Sequence, residues 1–142
     1  MSTSLRDVIV ASPSGAVLDV DAGDLVALAS ARWGAHAVTS HASDLPNTAV
    51  TIRVTPDDEP GFQIDVAADG QSVSADGTPE QNAEVALLVS RALPAERPRV
   101  IAFDQGWTVH VDLTAGMTLD ELRSRLVDHS VPGWGADDPD FQ

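Results

Sequence analysis

Two short segments in the middle of the chain alternate between apolar and polar residues, and this alternation constrains the fold more than any other feature. Residues 50–54 are VTIRV and residues 62–66 are FQIDV, so every second residue is apolar in each. A period of two places alternate side chains on opposite faces of a β-strand. Each segment is therefore predicted to form a strand with one buried and one polar face, as in an antiparallel sheet covered on one side.

Turn residues predict three further strands. Asp-Gly turns within residues 68–70 and 75–77 bracket a short strand at residues 71–74, which completes a three-stranded meander. Later in the chain, residues 100–103 and 107–113 are both rich in apolar residues and are separated by a short turn. They are predicted to form a hairpin.

Capping residues predict three helices. Asp21 is placed to cap a helix that runs to Trp33, and Gly34 supplies its stop. Thr78-x-x-Gln81 and Thr118-x-x-Glu121 are both capping boxes, in which each side chain can bond the backbone of the other residue. The last of these helices is expected to end near residue 129.

These elements predict an α+β fold in the order α-β-β-β-α-β-β-α. The expected architecture is a two-layer sandwich, with an antiparallel sheet of about five strands and helices packed on one face. Residues 1–129 would form this single domain, and residues 130–142 would form an acidic flexible tail. A hairpin within residues 5–20 is plausible from its two apolar runs and intervening Pro-Gly turn, but is left open.

The charge of the chain limits which partners it can bind. Its 142 residues contain eight arginines, no lysine and 22 carboxylates, for a formal net charge of -14. A field of that sign repels nucleic acid and anionic membranes and attracts basic surfaces. The absence of lysine is interpreted as the codon bias of a GC-rich genome, the alternative being selection against lysine facing a basic partner or against its modification. The negative excess remains a physical property in either case, and it also favours solubility.

Other features of the composition point to a cytoplasmic protein without cofactors. There is no cysteine, so disulfides and thiolate metal sites are excluded. No apolar run approaches the length that spans a membrane, and no apolar leader follows Met1. Glycine-rich phosphate loops and common catalytic motifs are absent as well, so neither a cofactor nor a catalytic residue is predicted.

The polar face of the predicted sheet is one candidate binding surface. On residues 107–113, alternation places Trp107 with the core and His110 with Asp112 on the opposite, open face. Arg53 and Asp65 join them from the meander. Such a face suits protein docking but equally resembles a plain solvated surface, and both interpretations remain open. His110 and Asp112 could also act as a catalytic or metal-binding pair, although the sequence places no third group beside them.

The tail is a second candidate because it combines aromatic and acidic residues. Trp134 and Phe141 could anchor it in a basic, partly apolar cleft, with Asp137 and Asp138 supplying charge. The alternative is a loose chain end with Trp134 packed on its own domain. The spacing of His36 and His41 fits no zinc pattern, so both are interpreted as belonging to a loop, and no metal site is predicted.

A stretch from Gly77 to about Val127 carries a resemblance to a known class of proteins. The segments DGTPEQNAEVALLVSRALP and RVIAFDQGWTVHVDLTAGMTLDELRSRL resemble small actinobacterial immunity-type proteins encoded beside secreted toxins. The order of helices and strands is also similar to that of secretion chaperones. Both resemblances imply a protein that binds another protein, and neither implies catalytic residues.

Three functions follow as hypotheses. The first is an immunity protein that binds and neutralises a cognate basic toxin domain, using Asp65, His110 and Asp112 and then the acidic tail. The second is a secretion chaperone that holds an unfolded client segment in an apolar groove and forms a dimer. The third is a small enzyme using His110 and Asp112. The sequence leaves the oligomeric state open.

Overall fold

The structure of the protein, a computed structural model, describes residues 5–141. Within them, the helices are α1 (Ala22–Trp33), α2 (Pro79–Ala92) and α3 (Leu119–Ser124). The strands are β1 (Val8–Ala11), β2 (Val38–Ala42), β3 (Thr48–Val54), β4 (Phe62–Ala67), β5 (Ser72–Ala75), β6 (Ile101–Asp104), β7 (Val109–Asp112) and β8 (Val127–Asp128). Single 3-10 turns occur at Ala35–Ala37 and Pro139–Phe141.

The strands form one open antiparallel sheet in the order β2-β3-β4-β5-β1-β6-β7-β8. The α+β class and the antiparallel sheet are confirmed, but the prediction of about five strands is wrong, because there are eight. β1, β2 and β8 are the additional strands. β1 lies in the centre of the sheet, where it pairs with both β5 and β6.

One face of the sheet carries the hydrophobic core. Val8 and Val10 of β1 are fully buried on this face, together with Ile52 of β3 and Ile64 of β4. Helices α1 and α2 cover these side chains, and α3 packs against α2. The residues between them on each strand point to the other face, which is the polar one predicted from the alternation.

Residues 5–20 do not form the hairpin that the sequence left open. Ser12 to Gly15 form the expected turn, with the Gly15 N–H donating to the Ser12 carbonyl at 3.0 Å and a left-handed φ of 74° at Gly15. The chain does not return as a strand beside β1, however. Instead, Leu18 makes a single backbone bond of 2.7 Å to Gly70.

Both predicted capping boxes are confirmed. At the start of α2, the Thr78 hydroxyl accepts from the Gln81 N–H at 3.2 Å and the Gln81 side chain accepts from the Thr78 N–H at 2.9 Å. Thr118 and Glu121 form the same arrangement at α3. The last helix nevertheless ends at Ser124 rather than near residue 129, because the chain turns there to pair β8 with the free edge of β7.

Asn82, in the first turn of α2, fixes the N-terminal part of the chain to the helix. Its side-chain amide donates to the carbonyls of Leu5 at 2.8 Å and Gly77 at 3.1 Å, and its oxygen accepts from the Gly77 N–H at 2.9 Å. Asn82 is fully buried. A buried amide with three bonds holds the residues that lead into β1 in a defined position.

None of the helices in residues 5–141 has the length and apolar character needed to cross a bilayer.

Candidate functional site

The polar face of the sheet divides into two parts of different character. We call the part formed by β2 to β5 the open half; its side chains are Thr39, His41, Thr51, Arg53, Gln63, Asp65, Ser72 and Ser74. The part formed by β6 to β8 is the covered half, with Phe103, His110, Asp112 and Val127. Residues 131–141, the C-terminal segment, pack against the covered half through their aromatic and acidic side chains. Only the open half presents the exposed polar surface that the sequence predicts.

A chain of polar contacts organises the open half. Arg53 donates to the Gln63 side-chain oxygen at 3.3 Å, and the Gln63 amide donates to the Asp65 carboxylate at 3.1 Å. Asp65 also accepts from the Thr51 hydroxyl at 2.9 Å. These two contacts, one from β3 and one from within β4, hold the Asp65 carboxylate in place while leaving its residue only half-buried. Predicted residues Arg53 and Asp65 are therefore neighbours on one accessible surface.

A groove at the side of the open half nearest β1 concentrates negative charge. Asp7, Asp65 and Asp76 line it, and its volume is about 260 Å³. Among the described residues that line the groove, none is an arginine. No group of three or more histidine or carboxylate side chains in residues 5–141 is arranged to hold a metal ion. The groove therefore suits a cationic side chain better than a metal.

His110 lies at the centre of the covered half, where it is 3% exposed. Its Nδ1 is 2.7 Å from Nε2 of His129, and the His129 Nδ1 is 2.7 Å from the Trp107 carbonyl oxygen. A carbonyl can only accept, so Nδ1 of His129 carries a proton and, in the neutral ring, Nε2 does not. His110 must then donate from Nδ1, which fixes the tautomers of both neutral rings.

The surroundings of His110 favour its uncharged form. Burial lowers the pKa of His110 below its ordinary value, and the positive charge that His129 can carry lowers it further. Asp112 acts in the opposite direction but does not prevail. A neutral imidazole is consistent with a ring that is buried among aromatic side chains and bonded to a second imidazole.

Aromatic rings from the C-terminal segment enclose the histidine pair. Trp134 stacks on His129, with ring centroids 3.8 Å apart and 12° between the planes. Phe141 lies edge-on against His110 at 4.9 Å. Trp107 stacks on His110 at 5.7 Å, so the prediction that Trp107 lies on the core face is wrong. It precedes β7 with a left-handed φ of 55°, which turns it to the covered half.

Arg99 ties the C-terminal segment to the edge of the sheet. Its guanidinium bonds both oxygens of Asp112, at 2.6 and 3.0 Å, and both oxygens of Asp138, at 2.8 Å each. A further bond of 2.6 Å reaches Asp140. The hydrogen bond from Arg99 holds the pKa of Asp138 below its usual value, and these carboxylates raise the pKa of Arg99. The Phe141 ring also lies 5.1 Å from the guanidinium carbon.

The predicted site residues therefore separate into two groups. Arg53 and Asp65 belong to the open half, whereas the others lie at the covered half or on the segment above it: His110, Asp112, Trp134, Asp137, Asp138 and Phe141. Asp137 is exposed. His110 and Asp112 share a face, but their hydrogen bonds go to His129 and Arg99 rather than to each other. Sequence reasoning missed Arg99 and His129, and the only available signal was a tail rich in aromatic and acidic residues.

The interpretation of His36 and His41 as loop residues is partly wrong. His41 lies in strand β2, exposed at the edge of the sheet. His36 lies in the 3-10 turn after α1, with Nε2 3.1 Å from the Asp57 carboxylate.

Comparison of the chain with family models, with curated proteins and with solved structures gave no match. The chemistry of the two halves is therefore the basis on which function is inferred.

Proposed function

We propose that this protein is a non-catalytic acidic binding protein, of the immunity type, that binds and neutralises a basic toxin domain in the cytoplasm. The open half of the sheet supplies the docking surface. The observation that carries the proposal is the groove lined by Asp7, Asp65 and Asp76, whose described lining contains no arginine. Carboxylates gathered in a groove whose own lining holds no arginine are relieved of mutual repulsion when a basic partner arrives.

The net charge supports the same kind of partner. A formal charge of -14 accelerates association with a basic protein and disfavours nucleic acid. Toxin domains that act on nucleic acids or nucleotides need cationic clefts, and an acidic inhibitor would be steered to such a cleft. The Asp65 carboxylate, positioned by Thr51 and Gln63, would meet an arginine or lysine of the partner without first having to be ordered.

The test begins with capture of the partner from the native host, followed by calorimetric titration of the purified pair. We expect a one-to-one complex with a basic protein whose affinity falls as salt concentration rises. Asp65→Arg should weaken binding about tenfold or more, whereas Asp65→Asn should have a smaller effect. Charge reversal at Asp112 is a poorer probe because it would also disrupt Arg99.

Asp19→Arg is the matched control for this titration. Asp19 is exposed in the loop before α1, so its reversal changes the net charge by the same amount without touching the groove. Affinity should then change far less than in Asp65→Arg. Equal losses in the two variants would show that only the overall charge matters and that the open half does not dock the partner.

A secretion chaperone remains the second candidate because of an apolar groove on the helical layer. Leu28 of α1, Leu87 of α2 and Leu119 of α3 line this groove, whose volume is about 400 Å³. A groove of this kind could hold the apolar face of a client helix. The chaperone would form a homodimer and keep its client unfolded, so a strictly monomeric protein in light scattering would count against it.

A further inference from the structure

The C-terminal segment is attached to the sheet in an unusual way. Its first residue, Val131, donates a backbone hydrogen bond to the Asp128 carbonyl of β8 at 3.2 Å, and its other described backbone bonds, from Trp134, Ala136, Asp138 and Phe141, close turns inside the segment itself. None of the described strands pairs with it. Beyond Val131, the contacts described between the segment and the covered half come from side chains, namely the two aromatic rings and the carboxylates of Asp138 and Asp140. The segment therefore docks in the way that a short peptide ligand docks on a protein.

The surface beneath the segment has supports of its own. We call this surface the floor; it consists of Arg99, Phe103, Trp107, His110 and His129. The loop that carries Trp107 is held by Asp104, whose carboxylate accepts from the N–H groups of Thr108 at 2.6 Å and Val109 at 3.1 Å. Asp104 is buried. These bonds do not involve the C-terminal segment, so we expect the backbone of the loop to keep its shape without it, although the Trp107 ring also contacts Trp134 and Phe141.

Two polar side chains of the floor are likewise oriented from within the domain. Arg99 is bonded on one side to Asp112, which leaves Nη1 and part of Nη2 to receive further carboxylates. His129 is oriented by the Trp107 carbonyl and holds His110 in turn. A ligand therefore meets the Arg99 guanidinium already pointed outward and the His129 ring in an orientation on which an aromatic side chain can stack. Little ordering of the protein is then needed for binding.

We propose that the floor is a binding site for short protein segments that carry an aromatic residue close to a pair of carboxylates, and that the C-terminal segment fills it as an intramolecular ligand. Arg99 receives the carboxylates, the His129 ring receives one aromatic side chain, and a second ring packs beside Arg99 and His110. This site lies on the covered half and is independent of the proposed docking of a basic partner on the open half.

Because the C-terminal segment is covalently joined to its own site, a competing segment must overcome a high effective concentration. A segment joined by a short linker has an effective concentration of about 1 mM at its own site. A partner segment must exceed that concentration or bind more tightly than residues 131–141 do. The negative charge of such a partner segment is complementary to Arg99, which forms ion pairs with two carboxylates of the C-terminal segment.

The experiment separates the ligand from its site. A chain shortened to residues 1–130 is titrated with a synthetic peptide of residues 131–142, and binding is followed by calorimetry and by the His110 imidazole signals in NMR. We expect saturable one-to-one binding that shifts those signals. A peptide with Asp138→Asn and Asp140→Asn should bind about tenfold more weakly, and Arg99→Gln in the shortened chain should have a similar effect. A scrambled peptide is the control.

A shortened chain that folds but does not bind the peptide, or binds it equally well after these changes, would overturn the proposal. A second measurement uses the intact protein. Backbone amides of Trp134, Asp138 and Phe141 should exchange with solvent at least about tenfold faster than those of β6 and β7, because the segment opens while the sheet stays folded. The proposal would also be refuted if the amides of the segment and those of β6 and β7 exchanged only through global unfolding, or if the shortened chain could not fold. Either result would show that the segment is an integral part of the domain.

Discussion

Replacing Asn82 with alanine tests whether one buried amide holds the start of the chain to α2. The substitution leaves the Leu5 carbonyl without its donor in a residue that is only 2% exposed, and an unpaired buried acceptor costs about 1–3 kcal/mol. The two bonds to Gly77 lie nearer to solvent and contribute about 0.5–1.5 kcal/mol each. We therefore expect the free energy of unfolding to fall by about 3 kcal/mol, or about 10 °C in Tm.

Urea denaturation followed by circular dichroism measures this loss. The urea concentration at the midpoint of unfolding should fall. The slope of the free energy of unfolding against urea concentration should stay unchanged, because the surface exposed on unfolding is the same. Asn82→Asp keeps the shape and the acceptor for Gly77 but removes both donor bonds, so it separates hydrogen bonding from packing. Asn47→Ala is the control, because Asn47 is exposed in the loop before β3 and should change stability by less than about 0.5 kcal/mol. A loss at Asn82 no larger than at Asn47 would refute the reasoning.

Three further predictions concern a turn, a cap and a titrating group. Gly34→Ala should cost about 1–3 kcal/mol, measured by thermal unfolding, because φ is 99° there and an added Cβ would meet the His36 ring at 2.7 Å. Thr118→Ala should cost about 1 kcal/mol in the same assay through loss of the capping box at α3. Burial lowers the pKa of His110, so the unfolded chain takes up that proton more readily and acidification through the ordinary histidine range should destabilise the fold. His110→Gln should lack this component, and identical pH profiles of wild type and variant would contradict it.

Local patterns in the sequence predict the elements whose stability is decided locally. Strict alternation identified β3 and β4, and paired capping residues identified the starts of α2 and α3. These signals depend on residues only a few positions apart. The strands that were not predicted lack such local signals. β2 is an edge strand with four exposed residues out of five, so it shows no buried face, and β8 is only two residues long.

The position of β1 depends on partners that are distant in the chain. Val8–Ala11 pairs with β5, more than sixty residues later, and with β6, ninety or more residues later. An apolar run of four residues cannot specify such partners, and the nearby Pro-Gly turn favoured a local hairpin instead. The contacts made on the covered half of the sheet were not predicted for the same reason, because Arg99 bonds to Asp138 and Asp140 across about forty residues of sequence.

The arrangement of the arginines bears on why the chain is so acidic. Four of the eight form ion pairs within the described residues: Arg32, Arg99, Arg123 and Arg125. Arg97 instead donates to the carbonyls of Ser90 and Leu113, where burial lowers its pKa. The cations thus neutralise carboxylates of the helical layer and the covered half, while the described lining of the groove at Asp65 contains none.

Solubility and partner steering make different demands on that excess of charge. If it served solubility alone, carboxylates in the loop at residues 57–59 and in the groove would be interchangeable, because colloidal repulsion depends mainly on net charge. Steering depends instead on where the field is focused, and a groove with low-dielectric walls focuses it. Neutralising Asp65 should therefore slow association with a basic protein more than neutralising Asp58, although both variants have the same net charge. Equal association rates would leave solubility as the sufficient explanation.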